Sequence, residues 1–111
     1  MKTNKPKARA GQFWTIDNKL FRGHKGRISK IKKNTVEAVC VTSSKKSFGR
    51  SNIKLKQNPD PNSKKESFVM KRPMEAEVKH LGTFRPEMKV RNKTDKAIFR
   101  NVAKRKPRKL T

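Results

Sequence analysis

Apolar residues in the first half of the chain recur with the spacing of short β-strands. The segment FWTID at 13–17 combines aromatic and β-branched residues and precedes the turn-forming DNK, so it predicts a first strand. The segments RISKI at 27–31 and VEAVCV at 36–41 flank the polar link KKNT, a pattern that predicts an antiparallel hairpin. Both alternating sets of the second segment are largely apolar, which predicts that this strand is central and buried.

The middle of the chain predicts two further strands separated by loops. In NIKLK at 52–56, Ile53 and Leu55 share one side and the two lysines share the other, as in a half-buried strand. SFVMKR at 67–72 predicts another strand, and PMEAEVKHLG at 73–82 predicts a short helical turn that starts after its proline and stops at its glycine. The polar or glycine-bearing segments between these elements are predicted loops, at 20–26, 43–51 and 57–66.

One helix is predicted near the C-terminus, within NKTDKAIFRNVAKRK. Asn92 or Thr94 can cap its start, and Pro107 prevents its continuation. Its apolar side is predicted to contain Ile98, Phe99 and Val102. Several short strands followed by one helix predict a mainly β fold, namely a small, strongly curved β-barrel or half-barrel with a C-terminal helix and basic, flexible termini.

The charge balance of the chain indicates the chemistry of its partner. Among 111 residues, 32 are Lys or Arg and 8 are Asp or Glu, so the formal net charge is +24. Such self-repulsion is relieved by a polyanion, and nucleic acid binds basic proteins through the release of counterions. An anionic membrane surface and an acidic protein are the alternatives, but the chain contains no stretch of about 20 apolar residues and we expect no membrane partner.

The predicted partner is RNA rather than DNA. No helix-turn-helix pair is evident, and a basic surface built on strands suits single-stranded or irregular RNA better than duplex DNA. We expect three parts in the chain: a disordered basic arm at 1–12, a single nucleic-acid-binding domain at 13–103 and a basic tail at 104–111. A homodimer stays open as the assembly.

Metal and cofactor sites are not indicated by the sequence. Cys40, His24 and His80 are too far apart for metal-ligand spacing, and phosphate-binding glycine motifs are absent, so no metal and no cofactor are expected. Cys40 lies inside an apolar strand, which predicts a buried, inert thiol. A single cysteine and an N-terminus without an apolar signal core favour a cytoplasmic location.

Basic residues on the predicted strands and their loops form the expected phosphate-binding face. Phe48, between two basic residues of a loop, is the first candidate for stacking an unpaired base, and Phe21 is the second. The predicted phosphate contacts are Arg27, Lys30, Lys32, Lys45, Lys46, Arg50, Lys54 and Lys56.

The order of several motifs resembles that of the MazF/PemK-like toxin family over residues 13–82. These motifs are FWTID, a glycine-bearing basic loop, an Arg that opens an apolar strand, VCVTS and SFVMKRPMEAEVKHLG. The resemblance implies an SH3-like barrel and a metal-independent endoribonuclease that cuts single-stranded RNA. It implies that Arg27 is the catalytic Arg and Thr42 the catalytic Thr, and His24 is a candidate for proton transfer near neutral pH.

Three interpretations of function are therefore open. The first is an RNA-binding protein that does not cut its ligand. The second is the metal-independent endoribonuclease of a toxin–antitoxin pair. The third is a ribosomal accessory protein or one encoded by a phage or mobile element, including an inhibitor that occupies the nucleic-acid groove of a nuclease.

Overall fold

The computed structural model describes residues 7–18 and 21–110, except for the side chains of residues 21 and 22. Within these residues a 3-10 turn at Val78–His80 follows the eighth strand. The strands and the helix are β1 (Phe13–Asn18), β2 (Phe21–Ile31), β3 (Thr35–Thr42), β4 (Lys46–Ser47), β5 (Arg50–Ser51), β6 (Ile53–Lys54), β7 (Phe68–Val69), β8 (Met74–Glu77), β9 (Leu81–Phe84), α1 (Lys93–Ala103) and β10 (Arg108–Lys109).

The main sheet runs in the order β10-β8-β3-β2-β1-β9, and its neighbours are antiparallel except for β10, which lies parallel to β8. β7 pairs with the far end of β3 and with β6, while β4 and β5 form a separate hairpin. The mainly β class with a C-terminal helix is confirmed. Among the described residues the two end strands, β10 and β9, do not pair with each other, so the barrel is not closed.

Strand alternation divides the apolar side chains into two cores, one on each side of the sheet. The helix α1 covers one side of the sheet. On the far side, the core packs closely against Gly26, because a Cβ atom there would lie only 2.9 Å from Ala38 Cβ. The helix-side core consists of Phe13, Val39, Val41, Leu55, Val69, Met88, Phe99 and Val102. The far-side core consists of Trp14, Ile16, Ile28, Val36, Ala38, Cys40, Met70, Met74, Ala76, Leu81 and Leu110.

The predicted hairpin and its central strand are confirmed. β2 and β3 pair antiparallel, and every residue from Val36 to Val41 is buried. The alternation in NIKLK is also confirmed, since Leu55 is buried and both Lys54 and Lys56 are exposed. Residues 57–66 contain neither strand nor helix, as their prolines and turn-forming residues predicted.

Three predicted elements differ in the structure. The predicted loop at 43–51 contains the short strands β4 and β5, which pair antiparallel around Phe48 and Gly49. The predicted loop at 20–26 belongs mostly to β2, because backbone pairing with β1 extends to Asn18 and Phe21. The predicted helical turn at 73–82 begins as strand β8, since Met74 and Ala76 pack into the far-side core while the intervening residues pair with β3. Only Val78–His80 is helical, as a 3-10 turn.

The helix α1 begins where the sequence predicted. Asn92 is its N-cap, and Asn92 Oδ1 accepts a hydrogen bond of 2.8 Å from the backbone of Asp95. The buried carboxylate of Asp95 accepts hydrogen bonds from the backbone N–H groups of Lys56 and Gln57 at 2.9 and 3.1 Å. These bonds fix the helix N-terminus to the segment that follows β6, while Phe99 and Val102 bury its apolar side, as predicted.

The described parts of both termini contact the sheet. Residues 1–6 of the predicted arm lie outside the described residues, but the N–H of Gly11 donates to Ile28 O at 2.8 Å. At the other end, the tail is basic as predicted, yet β10 pairs with β8 and Leu110 is only 2% exposed. Residues 104–110 are therefore an ordered part of the fold.

The described part of the chain contains no helix long and apolar enough to span a bilayer.

Candidate nucleic-acid interface

A groove of about 660 Å³ runs between α1 and the central strands β2 and β3. Its wall on the sheet also includes Ser29 and Glu37. We call it the α1 groove. Its cations are Arg27, Lys30, Lys96, Arg100 and Lys104.

A β-bulge places Arg27 and Lys30 on the same side of the sheet. Arg27 pairs with Val39 and Lys30 pairs with Glu37, with a register shift between Ile28 and Lys30. In a regular strand, residues three positions apart point to opposite sides, and one extra residue in the strand corrects that phase. The bulge therefore gives the groove two cations from β2.

The opposite wall of the groove is a row of cations, two on α1 and one, Lys104, at its C-cap. Lys96, Arg100 and Lys104 are spaced by four residues and all three are exposed. Residues four apart lie on the same side of a helix, separated by about 6 Å along its axis. Like charges at this spacing destabilise a helix slightly, by about 0.2–0.5 kcal/mol per pair, so a bound anion would relieve a cost that the free protein carries.

Arg27 is the groove cation that is most withdrawn from water. It is half-buried, its guanidinium carbon lies 5.8 Å from the centroid of the Phe99 ring, and burial lowers the pKa of Arg27. Arginine nevertheless stays protonated at any physiological pH. A charged group that has lost part of its hydration binds an incoming anion more strongly than a fully solvated one does.

The carboxylate that lines the groove is ion-paired with a cation outside this set. The Nζ of Lys32 lies 3.1 Å from Glu37 Oε2 and also 2.7 Å from Glu75 Oε2, so the two carboxylates share one ammonium. Within residues 7–18 and 21–110, no carboxylate oxygen lies within 4.0 Å of a groove cation. The cations outside the groove that do have such a partner are Lys25, Lys32, Lys54, Lys79 and Arg85.

Two predicted phosphate contacts are therefore engaged within the protein. Hydrogen bonding to Glu75 raises the pKa of Lys32, and Lys54 Nζ lies 3.3 Å from Glu66 Oε1. Lys45 and Lys56 are exposed and do not line the α1 groove. The single face that the sequence predicted is thus divided in the structure.

A second basic surface surrounds the β4–β5 hairpin. It shares no described lining residue with the α1 groove. Phe48, at the tip of this hairpin, is 47% exposed, and the guanidinium carbon of Arg108 lies 4.1 Å from its ring centroid. Lys46 lies at the base of the same hairpin. We call this surface the hairpin surface; it consists of Phe48, Arg50, Lys71, Arg72 and Arg108.

The three predicted catalytic residues do not lie in one pocket. His24 and Thr42 line a polar pocket of about 300 Å³, whereas Arg27 lines the α1 groove. The two sites lie at different positions along the β2–β3 hairpin, because Arg27 pairs with Val39, whereas His24 and Thr42 flank the Lys25–Val41 pair further along. Thr42 Oγ1 accepts a hydrogen bond from Ser44 N at 3.1 Å, and burial lowers the pKa of His24, which favours the neutral imidazole.

Metal ligands do not cluster in the part of the chain that the structure describes: no three His, Cys, Asp or Glu side chains are placed to hold an ion. Cys40 is fully buried, as predicted, and this burial raises the pKa of its thiol.

The sequence did not lead us to predict the row at 96, 100 and 104, although its four-residue spacing is a usable signal. Arg72 and Arg108 were not predicted either. Their positions beside Phe48 depend on the return of the C-terminal segment to β8, which no local pattern indicates. The side chain of Phe21, the second stacking candidate, lies outside what the structure describes.

Comparison with protein-family models, with curated proteins and with solved structures found no match for this chain. The resemblance of residues 13–82 to the MazF/PemK-like family stays a prediction.

Proposed function

We propose that this protein binds RNA in the α1 groove, by contacts between the groove cations and the phosphates of one strand. The observation that carries the proposal is the excess of cations: among the described residues five cations line the groove with no carboxylate oxygen within 4.0 Å, while Glu37, the one carboxylate among these lining residues, is ion-paired with Lys32. A basic surface that served solubility alone would mix both signs. Here the signs are segregated, which favours a polyanionic ligand.

The arrangement of the cations supports a single strand as the ligand. One wall carries three cations in a row on a rigid helix, and the other carries Arg27 and Lys30 on a strand. A row of this kind follows one phosphodiester chain, and because its backbone is already ordered, binding costs side-chain but no backbone conformational entropy.

The polar groups beside the cations support RNA over DNA. Ser29 and Glu37 line the groove, and Ser29 Oγ donates a hydrogen bond of 3.1 Å to the backbone oxygen of Glu37. The oxygen of this hydroxyl still has lone pairs that can accept from a ribose 2′-hydroxyl. That hydroxyl is the group by which a protein distinguishes RNA from DNA.

Binding of a fluorescently labelled single-stranded RNA, followed by anisotropy, tests the proposal. The groove variant changes Lys96, Arg100 and Lys104 to Gln. The control variant changes Lys64, Lys89 and Arg91 to Gln, three exposed residues outside the groove, so both variants lose the same charge.

We expect the groove variant to bind at least roughly tenfold more weakly than wild type, since three phosphate contacts are removed. The control variant should stay within roughly twofold of wild type. An equal loss in both variants would show that diffuse charge, and not the groove, binds the RNA.

A further inference from the structure

We propose that the hairpin surface is a second RNA site, which stacks an unpaired base on Phe48, so that one protein molecule holds two RNA segments at once. This inference rests on the proposed function of the α1 groove. It adds a second binding site and a bridging activity.

The backbone at the hairpin tip indicates that Phe48 is there for contact with a ligand. Phe48 has φ 51° and Gly49 has φ 74°, in a two-residue turn between the paired Ser47 and Arg50. Left-handed backbone at both positions favours Asn-Gly, and a bulky side chain is strained there. Burial offsets only part of this strain, because Phe48 is 47% exposed. Strain of this kind concentrates at functional sites.

The groups around Phe48 suit a nucleotide. The Arg108 guanidinium covers the ring at 4.1 Å, and Arg72 donates hydrogen bonds of 3.0 Å to the backbone oxygens of Lys106 and Pro107, which hold the segment before Arg108 in place. Among the described residues, no carboxylate oxygen lies within 4.0 Å of the four cations of the hairpin surface. An aromatic ring beside arginines can stack a base and bind its phosphate together.

The two surfaces are separated by the sheet. The α1 groove is bounded by the helix, whereas the hairpin surface borders Met70 and Met74 of the far-side core. No described residue lines both. Two short RNA segments can therefore bind without competing for the same side chains.

The stoichiometry of binding tests the inference. Single-stranded RNA of about 10 nucleotides, within the usual range of one binding site, is titrated into protein at concentrations well above the dissociation constant. We expect two RNA molecules for each wild-type protein. In a second titration at concentrations near the dissociation constant, the groove variant should keep one site at wild-type affinity and lose at least roughly tenfold at the other. Donor-labelled and acceptor-labelled RNAs of non-complementary sequence should show energy transfer with wild type, because one protein molecule holds both. The transfer should fall at excess protein, because the two RNAs then bind to different protein molecules.

A substitution at the hairpin tip separates loss of binding from loss of folding. Phe48→Asn removes the ring but creates the Asn-Gly turn that this backbone prefers, so the fold should be at least as stable as wild type. Affinity of the second site should fall roughly tenfold, and energy transfer should fall with it. The matched control is Val78→Asn, which alters another exposed apolar residue and should leave both readouts unchanged.

The outcomes distinguish the two proposals. One RNA for each protein, without energy transfer, overturns the bridging inference and leaves the α1 groove as the RNA site. No binding of RNA at all overturns both. Bridging that persists in Phe48→Asn at wild-type affinity overturns the assignment of the second site.

Discussion

At the scale of single residues, Lys32 shows that two acidic side chains of the sheet depend on one cation. Glu37 and Glu75 are in register on adjacent strands, and both carboxylates lie within 3.1 Å of Lys32 Nζ. Hydrogen bonding to this ammonium lowers the pKa of Glu75 below its ordinary value of 4.5. Without Lys32, two largely buried carboxylates would face each other unneutralised.

We predict that Lys32→Met lowers the melting temperature by roughly 5 °C at pH 7. A carboxylate whose pKa is lowered in the folded state stabilises the fold above its unfolded pKa, and this stabilisation is lost as the pH falls through the lowered value. The difference between wild type and Lys32→Met should therefore shrink on acidification to about pH 3. Thermal unfolding followed by circular dichroism measures it, with the exposed neighbour Lys33→Met as control. A difference that is independent of pH would contradict this account.

At the scale of elements, β10 turns a basic tail into part of the sheet. The N–H of Leu110 donates to Glu75 O at 2.9 Å, and Leu110 O accepts from Asn18 Nδ2 at 2.9 Å. Leu110 is 2% exposed and belongs to the far-side core. The strand therefore holds Arg108 in place beside the β4–β5 hairpin.

We predict that Leu110→Ala lowers the free energy of unfolding by about 2–4 kcal/mol, because truncation leaves a cavity in a packed core. Lys109→Ala, in the same strand but exposed, should change it by less than about 0.5 kcal/mol. Urea denaturation measures both. Equal effects of the two substitutions would show that the tail does not pack as described.

Some elements could be predicted from local sequence alone, because the polarity of their own side chains indicates which of them are buried. Both faces of 36–41 are apolar, and that segment is the buried central strand. Asn92 precedes an apolar helical period, and it caps α1. In β8, by contrast, the alternation of Met74 and Ala76 with glutamates was present in the sequence, but Pro73 favoured a helical start. The pairing with β3, a contact distant along the chain, determines the strand.

The candidate site was less predictable, because it depends on contacts between elements. Spacing alone places Arg27 and Lys30 on opposite sides of a strand, and only the bulge in β2 aligns them. The helix row became part of a groove because Phe99 and Val102 anchor α1 on the sheet. No local sequence pattern predicts the bulge in β2 or the packing of α1 on the sheet.

At the scale of the whole molecule, the formal charge is +24, and two surfaces, the α1 groove and the hairpin surface, concentrate cations that have no carboxylate oxygen within 4.0 Å among the described residues. The self-repulsion of such a molecule destabilises its compact state and is relieved by a polyanion. We therefore propose that the excess charge serves RNA binding, with the α1 groove as the principal site.

The salt dependence of RNA affinity tests this claim most directly. For single strands, the logarithm of the binding constant falls with the logarithm of salt concentration by about 0.7 for each phosphate contact. Measured from about 50 to 300 mM KCl, the slope should be smaller in magnitude by about 2 in the groove variant and unchanged in the control variant with Lys64, Lys89 and Arg91 replaced. Equal slopes for the two variants, which have the same net charge, would contradict the account.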